Sequence, residues 1–148
     1  MGPRSRLPEV SVADDLPPLV KPGTYDLVLV DFKTAIMFAG KAPKLIMAFR
    51  IVSLGKYFET ELSRYYNVKR IIGKPQLFGR FQCSKKGDFL REYMTLFTGK
   101  ISRTDRVPMS YYENVIIEGK VDTVKVSRGK GIPKELQYSV IRGLRRLK

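Results

Sequence analysis

Short runs of β-branched and aromatic residues, separated by glycine and proline, constrain the fold of this chain more than any other feature of its sequence. Residues 25–32 and 44–52 are two runs of strand length, with Gly40 and Pro43 between them. After a turn at 53–56, residues 57–68 alternate between two faces, as a strand does. Together these runs predict three consecutive antiparallel strands.

The next pattern has the period of a helix. Ser84 is a suitable N-terminal cap, and Gly99 is a suitable stop signal. Apolar residues between them follow helical spacing, namely Phe89, Leu90, Tyr93, Met94, Leu96 and Phe97. The sequence therefore predicts one helix over 84–98 that packs on a sheet. Its solvent face would carry Asp88, Arg91, Glu92 and Thr95.

Two further runs follow the helix. Residues 114–128 have strand composition, but Val121 and Val124 fall in opposite phase, so we expect a bulge or sharp bend near Asp122. A tight turn at 128–131 leads to a fifth predicted strand over 136–141. Apolar residues spaced by four, four and three over 136–147 favour a C-terminal helix almost as well.

Three strands, one helix and two strands predict a mainly β fold. This order is that of the OB fold, a five-stranded barrel with a helix between strands 3 and 4. At 148 residues and 43% hydrophobic composition, the chain suits one domain with a core. Four prolines and little periodicity predict a mobile N-terminal arm over 1–21, which precedes a single domain over 22–148.

Positive charge is concentrated in the second part of the chain. Residues 64–148 carry 20 Lys and Arg against 7 Asp and Glu, whereas residues 1–63 carry 8 against 7. The cations alternate with aromatic residues, and this combination suits a flexible polyanion whose bases can stack. It predicts binding to single-stranded nucleic acid. The ordinary alternative is that the charge serves solubility and the rings belong to the core.

Stacking on bases is predicted for five aromatic residues: Tyr65, Phe78, Phe81, Tyr111 and Tyr112. Adjacent Tyr65 and Tyr66 must point to opposite faces of a strand. Tyr65 is in phase with polar residues two, four and six positions earlier, so we assign it to the outer face. In the pairs Phe78/Phe81 and Tyr111/Tyr112, one ring of each pair is expected to stack.

Phosphate contacts are predicted for the cations near loops and strand ends. Arg64 is in phase with the inward-facing residues of its strand, so we expect it to lie beyond the barrel rim, in reach of solvent and phosphate. The full set is Arg64, Lys69, Arg70, Lys74, Arg80, Lys85, Lys86, Arg103, Arg106, Lys125, Arg128 and Lys130.

The composition argues against catalysis and metal binding. The chain has no histidine and a single cysteine, Cys83, so it lacks the commonest metal ligand and general base and cannot form an internal disulfide. We expect no cofactor and no metal. No apolar run approaches the roughly 20 residues needed to cross a bilayer, and no signal peptide is visible. We therefore expect a cytoplasmic protein that does not contact membranes.

Two alternatives remain open from the residues alone. Glu118 and Lys120 on a strand, with Asp105 upstream, loosely imitate a metal-dependent nuclease. An RNA-binding or virion-associated basic protein would have the same composition, because recognition of the 2′-hydroxyl depends on placement. The sequence also permits a homo-oligomer.

Residues 22–141 resemble, at the level of pattern, the OB-fold single-stranded DNA-binding proteins of bacteriophages and related mobile elements. The resemblance is carried by residues 21–25, 49–52, Gly55, 65–68, 89–93 and 121–124. It implies a role in DNA replication or recombination in a bacterial host cell, with weak sequence preference. One departure is the basic segment 142–148, where many of these proteins carry an acidic tail that recruits partners.

Overall fold

An antiparallel sheet and one helix form the framework of the protein, seen in a computed structural model that describes residues 7–8, 18–100, 106–127 and 129–148. The elements are β1 (Gly23–Met37), β2 (Ala42–Ile51), β3 (Glu61–Asn67), β4 (Arg70–Ile72), β5 (Arg80–Gln82), α1 (Asp88–Leu96), β6 (Ile117–Val124), β7 (Val126–Ser127), β8 (Lys130–Gly131) and β9 (Tyr138–Leu147). Short 3-10 helices span Met109–Tyr112 and Lys134–Leu136. The predicted site residues Arg103 and Arg128, together with Asp105 and most of the predicted arm, lie outside the described residues.

Five strands pair in the order β3-β2-β1-β6-β9, and every pair is antiparallel. The mainly β class and a helix between the third and fourth strands of this sheet are therefore confirmed. Its outer strands, β3 and β9, contact each other. However, no backbone ladder joins them in the described part of the chain, so the sheet is not closed into a barrel.

Several boundaries differ from the predicted ones. Residues 57–60 form a turn rather than the start of β3, because Glu59 adopts a φ of 70°. The helix begins at Asp88 rather than Ser84, with Gly87 at its N-cap. In β6 the register shifts lie at Glu118/Gly119 and Lys120/Val121, slightly before the expected bend.

The C-terminal helix alternative is wrong, since residues 138–147 form β9. This strand pairs with β6 from Val124↔Tyr138 to Ile117↔Leu147. It buries Val140, Ile141 and Leu144 in the core. Pairing with β6 provides hydrogen-bond partners for the backbone N–H and C=O groups along the segment. The spacing of the apolar residues was compatible with a helix or a strand, so this pairing decided the structure.

The core lies between the sheet and one face of α1. The helix buries Phe89, Glu92, Tyr93 and Leu96, which confirms the predicted packing on a sheet. Ring contacts continue from Phe89 to Tyr66 and from Tyr93 to Tyr112. These large aromatic side chains thus fix the helix on the sheet.

The last residues of the predicted arm pack on the sheet. Val20 is 1% exposed, and its N–H donates to Ser139 Oγ at 2.7 Å. The Ser139 N–H in turn donates to the carbonyl of Pro18 at 3.1 Å. The folded region therefore begins before residue 22. Within the described ranges, no helix is both long enough and apolar enough to cross a membrane.

Candidate nucleic-acid interface

A basic part of the chain that contains no acidic residue forms the β4–β5 hairpin and the segments that flank it. Residues 67–87 contain six Lys and Arg and no Asp or Glu. The two strands pair through Arg70↔Gln82, Ile71↔Phe81 and Ile72↔Arg80. All six cations are exposed, namely Lys69, Arg70, Lys74, Arg80, Lys85 and Lys86. A positive potential is the expected consequence on this side of the molecule.

The loop between β4 and β5 is held against β1 by Thr34. The Thr34 N–H donates to the carbonyl of Gln76 at 3.0 Å, and the Gln76 N–H donates back to Thr34 Oγ1 at 3.0 Å. Beside them, the Phe78 N–H donates to the carbonyl of Phe32 at 2.8 Å. A Cβ atom at Gly79 would lie 2.3 Å from Thr34 Oγ1, so this contact requires glycine. The loop therefore has a fixed position on the sheet.

This loop presents Phe78 to solvent. Its φ of 54° lies in the left-handed region, which bulky residues rarely adopt. The residue is 59% exposed, and its ring meets Phe32 edge-on with centroids 5.2 Å apart. Strained backbone of this kind clusters at functional sites, and here it carries an exposed aromatic ring.

The β4–β5 hairpin, the start of α1 and residues 106–109 enclose an open groove of about 1030 Å³, which we call the hairpin groove. Six residues predicted to contact nucleic acid line it: Lys69, Phe78, Arg80, Phe81, Lys85 and Arg106. Phe32, Phe89 and Leu90 supply apolar surface. Among the described residues that line the groove there is no carboxylate. The structure thus brings four predicted cations and two predicted rings together on one concave surface.

The floor of the groove is part of the hydrophobic core. Phe81 is half-buried, and its ring contacts Phe89 edge-on at 5.4 Å between centroids. Of the predicted pair, Phe78 is therefore the freer platform for a base, and Phe81 supports the groove from below. Cys83 is also half-buried here, and burial raises the pKa of its thiol. It is therefore a poor nucleophile at neutral pH.

Arg64 is buried, and the prediction that it lies beyond the rim in reach of solvent and phosphate is wrong. It is 8% exposed and forms a salt bridge with Glu92, which lies on the buried face of α1. Burial would lower the pKa of Arg64, but the hydrogen bond and the charge of Glu92 raise it above its ordinary value. The prediction that Glu92 faces solvent is wrong for the same reason.

Glu92 is a buried acid that the sequence analysis placed on the wrong face of the helix. Its Oε1 accepts hydrogen bonds from the Tyr66 hydroxyl at 3.1 Å and from the Leu144 N–H at 2.6 Å. Burial and the charge of Glu92 raise the pKa of Tyr66. A signal was present in the sequence, because Glu92 lies three residues after Phe89 and four before Leu96, on the apolar stripe of the helix.

The Tyr111/Tyr112 pair packs on the helix. Tyr112 is 1% exposed, so the prediction that it stacks on bases is wrong. Tyr111 is half-buried, its ring stacks on Tyr93 at 6.4 Å between centroids, and its hydroxyl donates to the Lys100 carbonyl at 3.1 Å. Neither ring lines the hairpin groove. Their main contribution is to cover the end of the core.

Tyr65 does point away from the core while Tyr66 is buried, as the alternation predicts. It lines a separate cavity of about 310 Å³, which we call the β3–β9 notch. Sequence reasoning missed four other residues of this notch, because they come from distant elements: Phe38, Lys44, Tyr138 and Arg142. Two predicted site residues, Tyr65 and Arg64, therefore line a different surface from the six in the hairpin groove.

Five other predicted cations within the described ranges do not line the hairpin groove, namely Arg70, Lys74, Lys86, Lys125 and Lys130. Lys125 and Lys130 are exposed around the β7–β8 hairpin. Glu118 forms ion pairs with Arg146 and Lys148, which lower the pKa of its carboxyl. In the part of the chain that the structure describes, no three acidic, Cys or His side chains form a group that could hold a metal ion.

Comparisons with protein-family models, with curated proteins and with solved structures gave no match. The function must therefore be inferred from the residues and their arrangement.

Proposed function

We propose that the protein binds single-stranded DNA without catalysis and with weak sequence preference. The hairpin groove carries this proposal, because it places Phe78 beside Lys69, Arg80, Lys85 and Arg106, and its described lining residues include no carboxylate. Phosphates would contact the cations while a base stacks on the exposed ring. Duplex DNA keeps its bases stacked on each other and offers no free face to Phe78.

Preorganisation of the loop supports this role. The hydrogen bonds that Gln76 forms with Thr34 and that Phe78 donates to the Phe32 carbonyl hold residues 76–78 in place before any ligand arrives. Binding then costs less conformational entropy than ordering a free loop would. The exposed ring of Phe78 is thereby available at a fixed distance from the cations of the same hairpin.

Weak sequence preference follows from the chemistry of the lining. Apolar rings stack on any base, and Lys and Arg at the phosphates carry no sequence information. Gln82 and Ser84 are the lining side chains with neutral hydrogen-bonding groups suited to base edges. Such a surface distinguishes single strands from duplexes better than it distinguishes one sequence from another.

The finer fold assignment is part of the same proposal. The strand order, the helix between the third and fourth sheet strands, and the contact of β3 with β9 all support an OB-like barrel. Glu92 adds to this support, since it bonds to Tyr66 on one outer strand and Leu144 on the other. A role in replication or recombination of a phage or mobile element rests on the resemblance of the sequence pattern.

Fluorescence anisotropy with labelled dT oligomers tests the proposal. We expect tight binding to a single strand, competition by unlabelled poly-dT, and much weaker competition by duplex DNA. Binding should fall in the double variant Arg80→Gln/Lys85→Gln. It should persist in the control Lys56→Gln/Lys134→Gln, which removes two exposed cations outside the groove.

Three results would count against it. Equal competition by duplex and single strands would remove the role of base stacking. Stronger competition by matching RNA would favour the RNA-binding alternative. Cleavage of the oligomer with Mg²⁺, abolished by Glu118→Gln, would favour the nuclease alternative.

A further inference from the structure

The β3–β9 notch is a second surface that combines aromatic and cationic side chains. Its lining comes from the β1–β2 hairpin, from β3, from the end of β6 and from the first half of β9. Phe38, Tyr65 and Tyr138 contribute rings, and Lys44 and Arg142 contribute cations. None of these five residues lines the hairpin groove. The notch is thus a distinct site built from elements far apart in the sequence.

The backbone conformation at Phe38 places its ring at the solvent-exposed rim of the notch. It has a φ of 55°, and the following Ala39 and Gly40 have φ of 57° and 80°, so three successive residues are left-handed. Phe38 is 58% exposed, and Lys44 Nζ lies 5.6 Å from its ring centroid. An exposed ring on strained backbone therefore occurs here as it does at Phe78.

The cations of the notch differ in their availability. Arg64 also borders the notch, but its charge is already paired with Glu92. Lys44 Nζ donates to Asn67 Oδ1, a neutral group that leaves its charge uncompensated. In the described part of the chain, no carboxylate lies within ion-pair distance of Lys44 or Arg142. Two positive charges therefore remain for an anionic ligand.

We propose that the β3–β9 notch binds one nucleotide, with the base against the rings of Phe38, Tyr65 and Tyr138 and the phosphate on Lys44 and Arg142. Its volume of about 310 Å³ is at the small end of ligand sites, which suits one nucleotide unit rather than a stretch of strand. This inference rests on the proposed function, since it supplies the bound strand with a second stacking site.

Photochemical cross-linking tests the site on the unmodified chain. The probe is a dT oligomer that carries one 5-iodouracil at successive positions, and the labelled peptides are mapped after irradiation. We expect some positions to mark the peptides of Phe38, Tyr65 or Tyr138 and others to mark Phe78. The free monophosphate of 5-iododeoxyuridine forms a second arm, and it shows whether an isolated nucleotide also enters the notch.

Affinity measurements test the same site independently. We expect Phe38→Ala/Arg142→Gln to weaken binding of a long dT oligomer by about fivefold or more, the effect of losing one stacked base. An oligomer of about six nucleotides, near the lower end of known site sizes, should bind the variant and the wild type equally. The control Lys56→Gln/Phe58→Ala removes a cation and a 46% exposed ring elsewhere, and it should match the wild type at both lengths.

The outcomes separate the two proposals. If the wild type binds no oligomer, the proposed function fails. If it binds oligomers through the hairpin groove, but neither probe labels the notch and the variant binds every length normally, the notch inference alone is overturned. Circular dichroism and thermal unfolding of each variant confirm that the fold is retained, as expected for exposed Phe38 and Arg142.

Discussion

Glu92 accepts a 2.6 Å hydrogen bond from the main-chain N–H of Leu144, so a helix side chain binds the outer strand β9 directly. The same carboxylate pairs with Arg64 on the opposite outer strand, β3. One buried acid thus links the two edges of the sheet across the helix. Its position also ties the helix that borders the hairpin groove to the strands that border the β3–β9 notch.

Glu92→Gln should destabilise the fold by about 3 kcal/mol or more, because it leaves the buried guanidinium of Arg64 without a compensating charge. The matched control is Asp88→Asn on the same helix. Its salt bridge with Arg91 is exposed, so its loss should cost less than about 1 kcal/mol. Urea unfolding measures both variants, and equal losses would contradict a special role for Glu92.

Alkaline pH should destabilise the protein through its buried tyrosines. Burial raises the pKa of Tyr93 to about 12, and burial also raises the pKa of Tyr66 and Tyr112. A raised pKa in the folded state means that unfolding releases protons above about pH 10, where free tyrosine ionises. The contribution of these tyrosines to stability should therefore be constant below that pH and fall above it. Tyrosinate absorbance and unfolding measured together across this range check the expectation, and an unchanged stability up to pH 12 would contradict it.

Phe78→Ala should weaken binding of dT oligomers by about 1 to 3 kcal/mol, the usual contribution of one stacked base. Its effect on stability should be small, since the residue is 59% exposed. Phe58→Ala is the control, because Phe58 is also exposed but lies outside both candidate surfaces. Anisotropy titrations should show a loss for the first variant alone. The same affinity in both variants would exclude Phe78 as a stacking platform.

Binding should decrease with salt in proportion to the phosphates contacted. If the four groove cations each neutralise one phosphate, the slope of log affinity against log salt should be near −2.8 for a single strand. Arg80→Gln/Lys85→Gln should reduce its magnitude to about 1.4, whereas Lys56→Gln/Lys134→Gln should leave it unchanged. Titrations at several salt concentrations give the slopes. A flat dependence in the wild type would contradict an electrostatic groove.

Gly79→Ala should displace the loop that carries Phe78. The added Cβ would lie 2.3 Å from Thr34 Oγ1 and 2.9 Å from the Gln76 carbonyl, so backbone as well as side chain must move. We expect lower stability together with weaker oligomer binding. Gly131→Ala is the control, because its Cβ would meet no atom within 4 Å and its φ is not in the left-handed region. Normal binding by Gly79→Ala would show that the loop position is unimportant.

Local patterns were sufficient for much of the fold. The runs that became β1, β2 and α1 were recognisable because strand and helix periods arise from neighbours along the chain. The end of the chain was ambiguous, since the spacing of its apolar residues satisfied both a helix and a strand. Pairing with β6 decided it, and that pairing joins residues far apart in sequence.

The candidate site also has features that the local sequence predicts and features that depend on long-range contacts. By itself, the sequence determined that residues 67–87 are basic and carry Phe78 and Phe81, because composition is a local property. Only the tertiary structure decided that Arg64 is buried, because its partner Glu92 lies 28 residues away in the sequence. Likewise, only the tertiary structure brought Phe38 and Tyr138 into one notch, because they come from separate strands and turns. The charge of a residue follows from its type, but its exposure depends on which distant segments pack against that residue.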